Sequence, residues 1–262
     1  MCTLTIVRAG GTLRVACNRD ESRMRPPAHP PFISVSRGRQ WLAPQDPLRG
    51  GTWIAANGAG LVFAILNAHH AAAARSPHDV STPDEQPSRG TIVPALIDCG
   101  SMSEVAWRLE EIDGEAFPPC RLLVCDGREI VEVALGVDRR TVRAQRLDRA
   151  LLFTSSSLGD ALVEGPRRAL FEQMLSGATD RFARQDAFHA HRWRDRPAVS
   201  VHMSRPDACT VSTTVVEATT REVRMYYQPA HGAAGIPAGL IIDREQVGDD
   251  AAHWTCREHA AV

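Results

Sequence analysis

The chain opens Met1-Cys2-Thr3-Leu4-Thr5-Ile6-Val7-Arg8-Ala9-Gly10-Gly11-Thr12-Leu13-Arg14-Val15-Ala16-Cys17-Asn18-Arg19-Asp20-Glu21, and the reading of these residues decides the fold. Cys2, Leu4 and Ile6 alternate with Thr3, Thr5 and Val7, the period of two that puts successive side chains on opposite faces of a strand. Ala9-Gly10-Gly11 reads as a turn, and alternation resumes from Thr12 to Cys17. The pattern predicts a β-hairpin starting at Cys2, with Asn18-Arg19-Asp20-Glu21 at the far end of its second strand.

Outward from this hairpin, residues 22–37 are rich in proline and arginine and read as an irregular loop. Gln40 to Ala43 reads as a short strand. Thr52 to Ala56 and Leu61 to Leu66 flank an Asn57-Gly58 turn, a second hairpin that runs out at Asn67-Ala68-His69-His70. Residues 71–90 are polar and proline-containing and predict a mobile segment. Helical patterns follow at Thr91 to Ile97 and at Ser103 to Ile112, the latter capped by Ser101 or Ser103. Asp126-Gly127 marks a hairpin between Arg121–Cys125 and Glu129–Leu135. Thr141 to Ala144 and Leu151 to Thr154 read as strands, and Pro166 to Leu175 as a helix with its proline in the first turn. His189 to Pro197 follows no clear pattern. Thr210 to Glu217 and Glu222 to Tyr227 form a last hairpin, and the pattern weakens from about His231.

Hairpins grouped between helices imply an α+β fold of antiparallel sheets covered by helices. No repeat or linker divides the chain, so residues 1–262 are expected to form a single domain. The 262 residues, 44% of them hydrophobic, suffice for one sizeable core. A formal net charge of -1 without blocks of like charge argues against a nucleic acid or membrane-surface partner. No apolar run approaches bilayer length or forms a signal-peptide core, so no membrane insertion and a cytoplasmic location are expected. The seven cysteines are scattered, without a CxxC, and read as reduced thiols, most of them small core residues. All thirty basic residues are arginine, which excludes lysine Schiff bases and P-loop lysines.

Several motifs have modest readings. His189 and His191 have the spacing of strand metal ligands, but no third and fourth ligand lies nearby in sequence, so no metal is expected. Ser155 to Ser157 lacks the glycine frame of a nucleophile elbow. Cys2 has two readings, a buried strand residue or a nucleophile. Methionine aminopeptidases remove Met1 before a small residue such as cysteine. The product carries a thiol and an α-amine on one residue, and an amine with a pKa of about 7.7–8.0 can serve as general base.

MCTLTIV, VACNRDE (Val15 to Glu21), Arg25-Pro26, GGTWIAANGAGLVFAILN (Gly50 to Asn67), Arg89-Gly90 before a helix and CRLLVCD (Cys120 to Asp126) together resemble the NRDE family, also called Transport and Golgi organisation 2. Fainter traces follow at Leu158, at Pro166-Arg167 and at Thr210 to Val215. The family is similar in its N-terminal layout to cysteine amidases such as bile-salt hydrolases and penicillin V acylases. That likeness implies an N-terminal-nucleophile hydrolase fold, a four-layer αββα sandwich of two mainly antiparallel sheets.

It also implies roles. Cys2 would be the nucleophile and its amine the base, Arg19 and Asp20 would tune both, and Asn67 would donate to the oxyanion. Glu21 could be a plain exposed carboxylate. Asn18, His69, Ser155 and Thr210 would lie at a small amide or acyl substrate, though His69 also reads as an ordinary loop residue. Two departures stand out: Ser155 falls where the family usually has asparagine, and Cys209-Thr210-Val211 where many members have glycine-threonine-arginine. The stretch from Cys209 to Tyr227 further resembles the final strands of acyltransferases related to penicillin biosynthesis. The implied function is hydrolysis of a C–N bond, or acyl transfer, through a Cys2 thioester with no cofactor. The alternative is a non-catalytic protein handling haem or acyl-lipids.

Overall fold

The computed structural model describes residues 2–68, 86–136, 140–230 and 239–245. The opening hairpin is present as β1 (Cys2–Ala9) and β2 (Thr12–Ser22), paired in register with Cys2 opposite Arg19 and Leu4 opposite Cys17. Gly10 and Gly11 make the turn at φ of 56° and 80°, the left-handed region that glycine enters without a Cβ penalty. Next come β3 (His29–Ser36), β4 (Arg39–Gln45), β5 (Ile54–Asn57) and β6 (Val62–Asn67). Helices α1 (Ile92–Leu96) and α2 (Met102–Glu110) precede β7 (Cys120–Cys125), β8 (Glu129–Leu135), β9 (Thr141–Arg146) and β10 (Leu151–Ser155). Helices α3 (Asp160–Leu175) and α4 (Arg181–His189) lead to β11 (Ala208–Ala218), β12 (Glu222–Pro229) and β13 (Leu240–Asp243).

Two antiparallel sheets result, in the orders β10-β1-β2-β11-β12-β13 and β3-β4-β5-β6-β7-β8-β9. The period-two pattern explains why they stack. Leu4, Ile6, Leu13 and Val15 of the first sheet meet Leu42, Ile54, Leu66 and Leu123 of the second in a buried cluster. Each such side chain contributes about 1.5–3 kcal/mol by leaving water. The outer face of the second sheet buries Phe63, Leu122 and Val133 against Ile92, Leu96 and Val105 of α1 and α2. On the outer face of the first sheet Val7 and Leu152 pack on Phe171 of α3 and Phe188 of α4, whose rings meet edge to face with centroids 5.1 Å apart. The layers are therefore helix, sheet, sheet, helix.

The sequence misplaces β3 and α3 and leaves α4 and β13 unassigned. The segment expected to be irregular holds β3, whose Pro30 and Pro31 are tolerated because it is the edge strand of its sheet and its register slips between His29 and Phe32. Helix α3 begins at Asp160, six residues before the expected start, so Pro166 lies inside it. The Asp160 carboxylate, accepting from Ser156 N at 2.7 Å, ties the helix start to the end of β10. At α2 the cap is Ser101, whose hydroxyl accepts from Glu104 N at 3.2 Å while the Glu104 carboxylate accepts from Gly100 N.

Candidate active site

Strand register sets the site. Cys2 is the first described residue of β1, opposite Arg19 on one side and Ser155 on the other. Cys2 faces the gap between the sheets and is 6% exposed. Asn67 ends β6 in the facing sheet. Cys2, Arg19, Asp20, Glu21, Arg25, Asp46, Trp53, Asn67 and Arg89 are among the residues lining one cavity of about 190 Å³. A larger cavity of about 650 Å³ between α3 and α4 contains none of these groups.

The structure thus brings Cys2, Arg19, Asp20 and Asn67 together from three strands. Asn67 lines the cavity, and its side-chain amide has no hydrogen-bond partner among the described residues. Arg19 does more than face the thiol. Its guanidinium stacks on the Trp53 ring, 4.5 Å from the centroid, and pairs with Glu21 at 3.3 Å and Asp46 at 3.4 Å. Glu21, read as a plain exposed carboxylate, is partly buried and also pairs with Arg25 at 3.5 Å.

The Cys2 thiol is held below the ordinary thiol pKa chiefly by the neighbouring Cys17 thiol, with Arg19 assisting and burial and Asp20 opposing. The cost falls on Cys17, whose thiol is pushed well above the ordinary value by the same contact and by burial. Cys17 sits diagonally from Cys2 on the same face of the hairpin, two positions along from Arg19. Cys17 is a buried core residue, as expected, and the hairpin register is the signal that also sets it beside Cys2.

Asp20, which lines the cavity, is also held from the helix-covered side of the sheet by Thr210 and Arg167. Burial pushes its carboxyl up to about 6, and Arg167, Thr210, the chain's amino group and Arg205 work against that rise. Thr210 Oγ1 donates to Asp20 Oδ1 at 2.6 Å and accepts from Met203 N at 2.9 Å. Beside Thr210 the β2–β11 register slips between Thr210 and Ser212, a bulge that re-aims the strand at the site. Arg167 of α3 is fully buried; it donates to Thr3 Oγ1 at 2.8 Å and to the carbonyls of Val199 and Ser200. Positive charge near Asp20 is thus supplied by Arg167 of α3 and by Arg205 in the turn just before β11. Arg167 stands out in the sequence only as a faint family trace, and Arg205 not at all.

Three expected substrate contacts sit elsewhere. Asn18 is 0% exposed, and its amide donates to the carbonyls of His189 and Val201 while its oxygen accepts from Thr213 and meets His189 Nδ1. It lies in a buried polar layer between the first sheet and α4, away from the cavity, because its parity along β2 differs from that of Arg19. Thr210 is spent on Asp20 and Met203. Ser155, also buried, accepts the Cys2 N–H on Oγ at 3.0 Å and is not among the residues lining the cavity. His69 lies outside the described residues. His189 is a packed core residue: its Nε2 is 2.7 Å from Thr5 Oγ1, and burial depresses its pKa to about 3. Among the described residues no three His, Cys, Asp or Glu side chains group to hold a metal ion.

Two facing antiparallel sheets between helical layers, with a cysteine at the start of a central strand, define the N-terminal-nucleophile hydrolase fold. Solved structures bear this out. The chain is similar to penicillin V acylase from Agrobacterium tumefaciens, with a TM-score of 0.51 and 12% identity over 93% of this chain and 86% of that one. A variant of conjugated bile acid hydrolase from Clostridium perfringens gives a TM-score of 0.54 and 13% identity over 93% and 92% of the two chains. The N-acylethanolamine-hydrolyzing acid amidase orthologue of Caenorhabditis elegans gives 0.52 and 13%, over 82% and 92%. No curated protein matches the chain. Within that fold the chain belongs to the Transport and Golgi organisation 2 family, whose model matches residues 1–186. Among the described residues no helix is long and apolar enough to cross a membrane.

Proposed function

We propose that the protein is a cysteine hydrolase or acyltransferase acting on a small amide or acyl compound through Cys2. The observation that carries this reading is the position of one residue. The Cys2 thiol lines a cavity with Arg19, Asp20 and Asn67, while its own nitrogen is held by Ser155 Oγ at 3.0 Å. Removal of Met1 turns that nitrogen into an α-amine beside the thiol it must deprotonate.

The amine takes the thiol proton and the sulfur attacks the substrate carbonyl carbon. The carbonyl oxygen becomes an oxyanion that accepts from the Asn67 amide, a contact of a kind worth about 3–4 kcal/mol. The α-ammonium returns its proton to the leaving amine as the C–N bond breaks, leaving a Cys2 thioester. Water, or an acceptor amine or alcohol, then resolves the thioester and regenerates the thiol. Asp20, ionised and held by Thr210, stabilises the ammonium, and Cys17 stabilises the thiolate. Incubation with small amides and activated acyl donors, read by intact mass, tests this: a thioester adduct on Cys2 that Cys2→Ala lacks supports it. Turnover unchanged in Cys2→Ala removes it.

The second reading, a carrier of haem or acyl-lipid without catalysis, draws on the presence of Ser155 where the family usually has asparagine. A Soret band on haem titration that is lost in Cys2→Ala favours it. Absence of saturable binding counts against it.

A further inference from the structure

The charges lining the Cys2 cavity fall into two sets. Arg19 and Arg25 each pair with both Glu21 and Asp46, so these four side chains form a closed ring without net charge. Asp20 is held from the other face of its strand by Thr210, with Arg167 and Arg205 nearby. The remaining charged residue on the cavity wall is Arg89. It stands in the turn Arg89–Thr91, and its Nη1 donates to the Pro119 carbonyl at 3.2 Å. No carboxylate among the described residues pairs with it, and its Nε and Nη2 have no acceptor there.

The backbone holds Arg89 in place. Thr52 N donates to Gly90 O at 3.0 Å, and a Cβ on Gly51 would lie 2.5 Å from the Gly90 carbonyl carbon, so the two loops pack main chain on main chain. A second group on the same wall also lacks an acceptor: the Trp53 indole N–H is buried and unpartnered. Burial lowers the Arg89 pKa, and the fields of Cys120, Glu21 and Cys2 only partly oppose it. A partly buried guanidinium with no carboxylate in pairing contact is costly unless an anion completes it.

We infer that Arg89 binds a carboxylate of the substrate, so that the compound brought to Cys2 is an acyl amide carrying a carboxylate. A single negative charge matches a single guanidinium. A phosphate dianion would place excess negative charge beside Glu21 and Asp46, which line the same cavity. The volume of about 190 Å³ admits only a small group near the reacting carbonyl. The inference rests on the hydrolase reading for the identity of the reacting bond, but the anion site itself can be tested without turnover.

The test is calorimetric titration of the Cys2→Ala protein at low salt with succinamate and with succinamide, which differ by one carboxylate. Succinamate is expected to bind about ten- to a hundredfold more tightly, as a charge-assisted hydrogen bond implies. Arg89→Gln should erase that preference and Arg89→Lys should keep part of it, with thermal melts confirming that both variants fold. Equal binding of the two probes, binding of neither, or a preference that survives in Arg89→Gln overturns the inference. So does tighter binding of inorganic phosphate than of succinamate. Alkylation of Cys2 by iodoacetamide in the unmodified protein separates the two readings. A carboxylate preference with an unreactive Cys2 supports the Arg89 site and removes the nucleophile; a reactive Cys2 without the preference does the reverse.

Discussion

The nitrogen of Cys2 donates to Ser155 Oγ at 3.0 Å across the β1–β10 ladder, so the atom proposed as general base is anchored by a residue 153 positions away. Ser155→Ala should leave the fold intact and slow Cys2 alkylation at neutral pH by about tenfold, the effect of losing one hydrogen bond of roughly 1–1.5 kcal/mol. Stopped-flow labelling of the two proteins reads this directly. An unchanged rate would remove Ser155 from the machinery.

Asp20 makes the site sensitive to pH. If its carboxylate must be ionised to hold the amine, the rate of Cys2 alkylation should rise through about pH 6, where Asp20 titrates. Asp20→Asn should flatten that limb. Arg167→Gln, which removes a nearby positive charge, should move the limb to higher pH.

Stability should run the opposite way. The folded value of Asp20, about 6, lies above the ordinary carboxylate value. Its favourable contribution is therefore complete below about pH 4 and is lost as pH rises through 6. Between pH 4 and 8 the wild type should lose on the order of 2 kcal/mol relative to Asp20→Asn. His189, whose folded value is about 3, stabilises in the other sense: its contribution is present above about 6.5 and fades as pH falls toward 3. His189 is common to both proteins, so its effect cancels in the difference. Urea titrations of the pair across this range measure the gap.

Cys17 is the test of how the thiol is tuned. Cys17→Ala removes the neighbouring thiol that does most to lower the Cys2 pKa. Thiolate absorbance near 240 nm should then titrate at higher pH, and labelling at pH 7 should slow. No shift would assign the low value to the amine and Arg19 instead.

Much of the fold was legible because period-two alternation and the Gly10-Gly11, Asn57-Gly58 and Asp126-Gly127 turns are local signals. β3 was missed because Pro30 and Pro31 look like breakers, and nothing local marks an edge strand. The start of α3 was missed for a related reason, since Asp160 acts by accepting from Ser156 N. At the site, the hairpin placed Cys2 beside Arg19, and the order of motifs put Asn67 opposite. Strand parity, however, turned Asn18 toward α4. Arg167, Arg205 and the partners of Ser155 come from distant segments, and no local pattern announces such contacts.

The Gly51–Gly90 approach gives a structural prediction. Gly51→Ala would drive its Cβ to 2.5 Å from the Gly90 backbone. The loops must separate, which should cost about 1–3 kcal/mol of stability and shift the turn that carries Arg89. Thermal unfolding of this variant beside Gly11→Ala, whose Cβ meets nothing within 4 Å, separates crowding from backbone strain at positive φ. Equal losses in the two would contradict the packing argument.

The central claim, a nucleophilic Cys2 carrying its own amine, is tested most directly by peptide-mapped mass spectrometry after brief exposure to limiting iodoacetamide at neutral pH. The account predicts that Met1 is absent and that Cys2 is labelled well ahead of the other six cysteines. Retention of Met1, or Cys2 labelling no faster than Cys99 or Cys125, whose thiols burial pushes up to about 12 and beyond the usual range respectively, would contradict it.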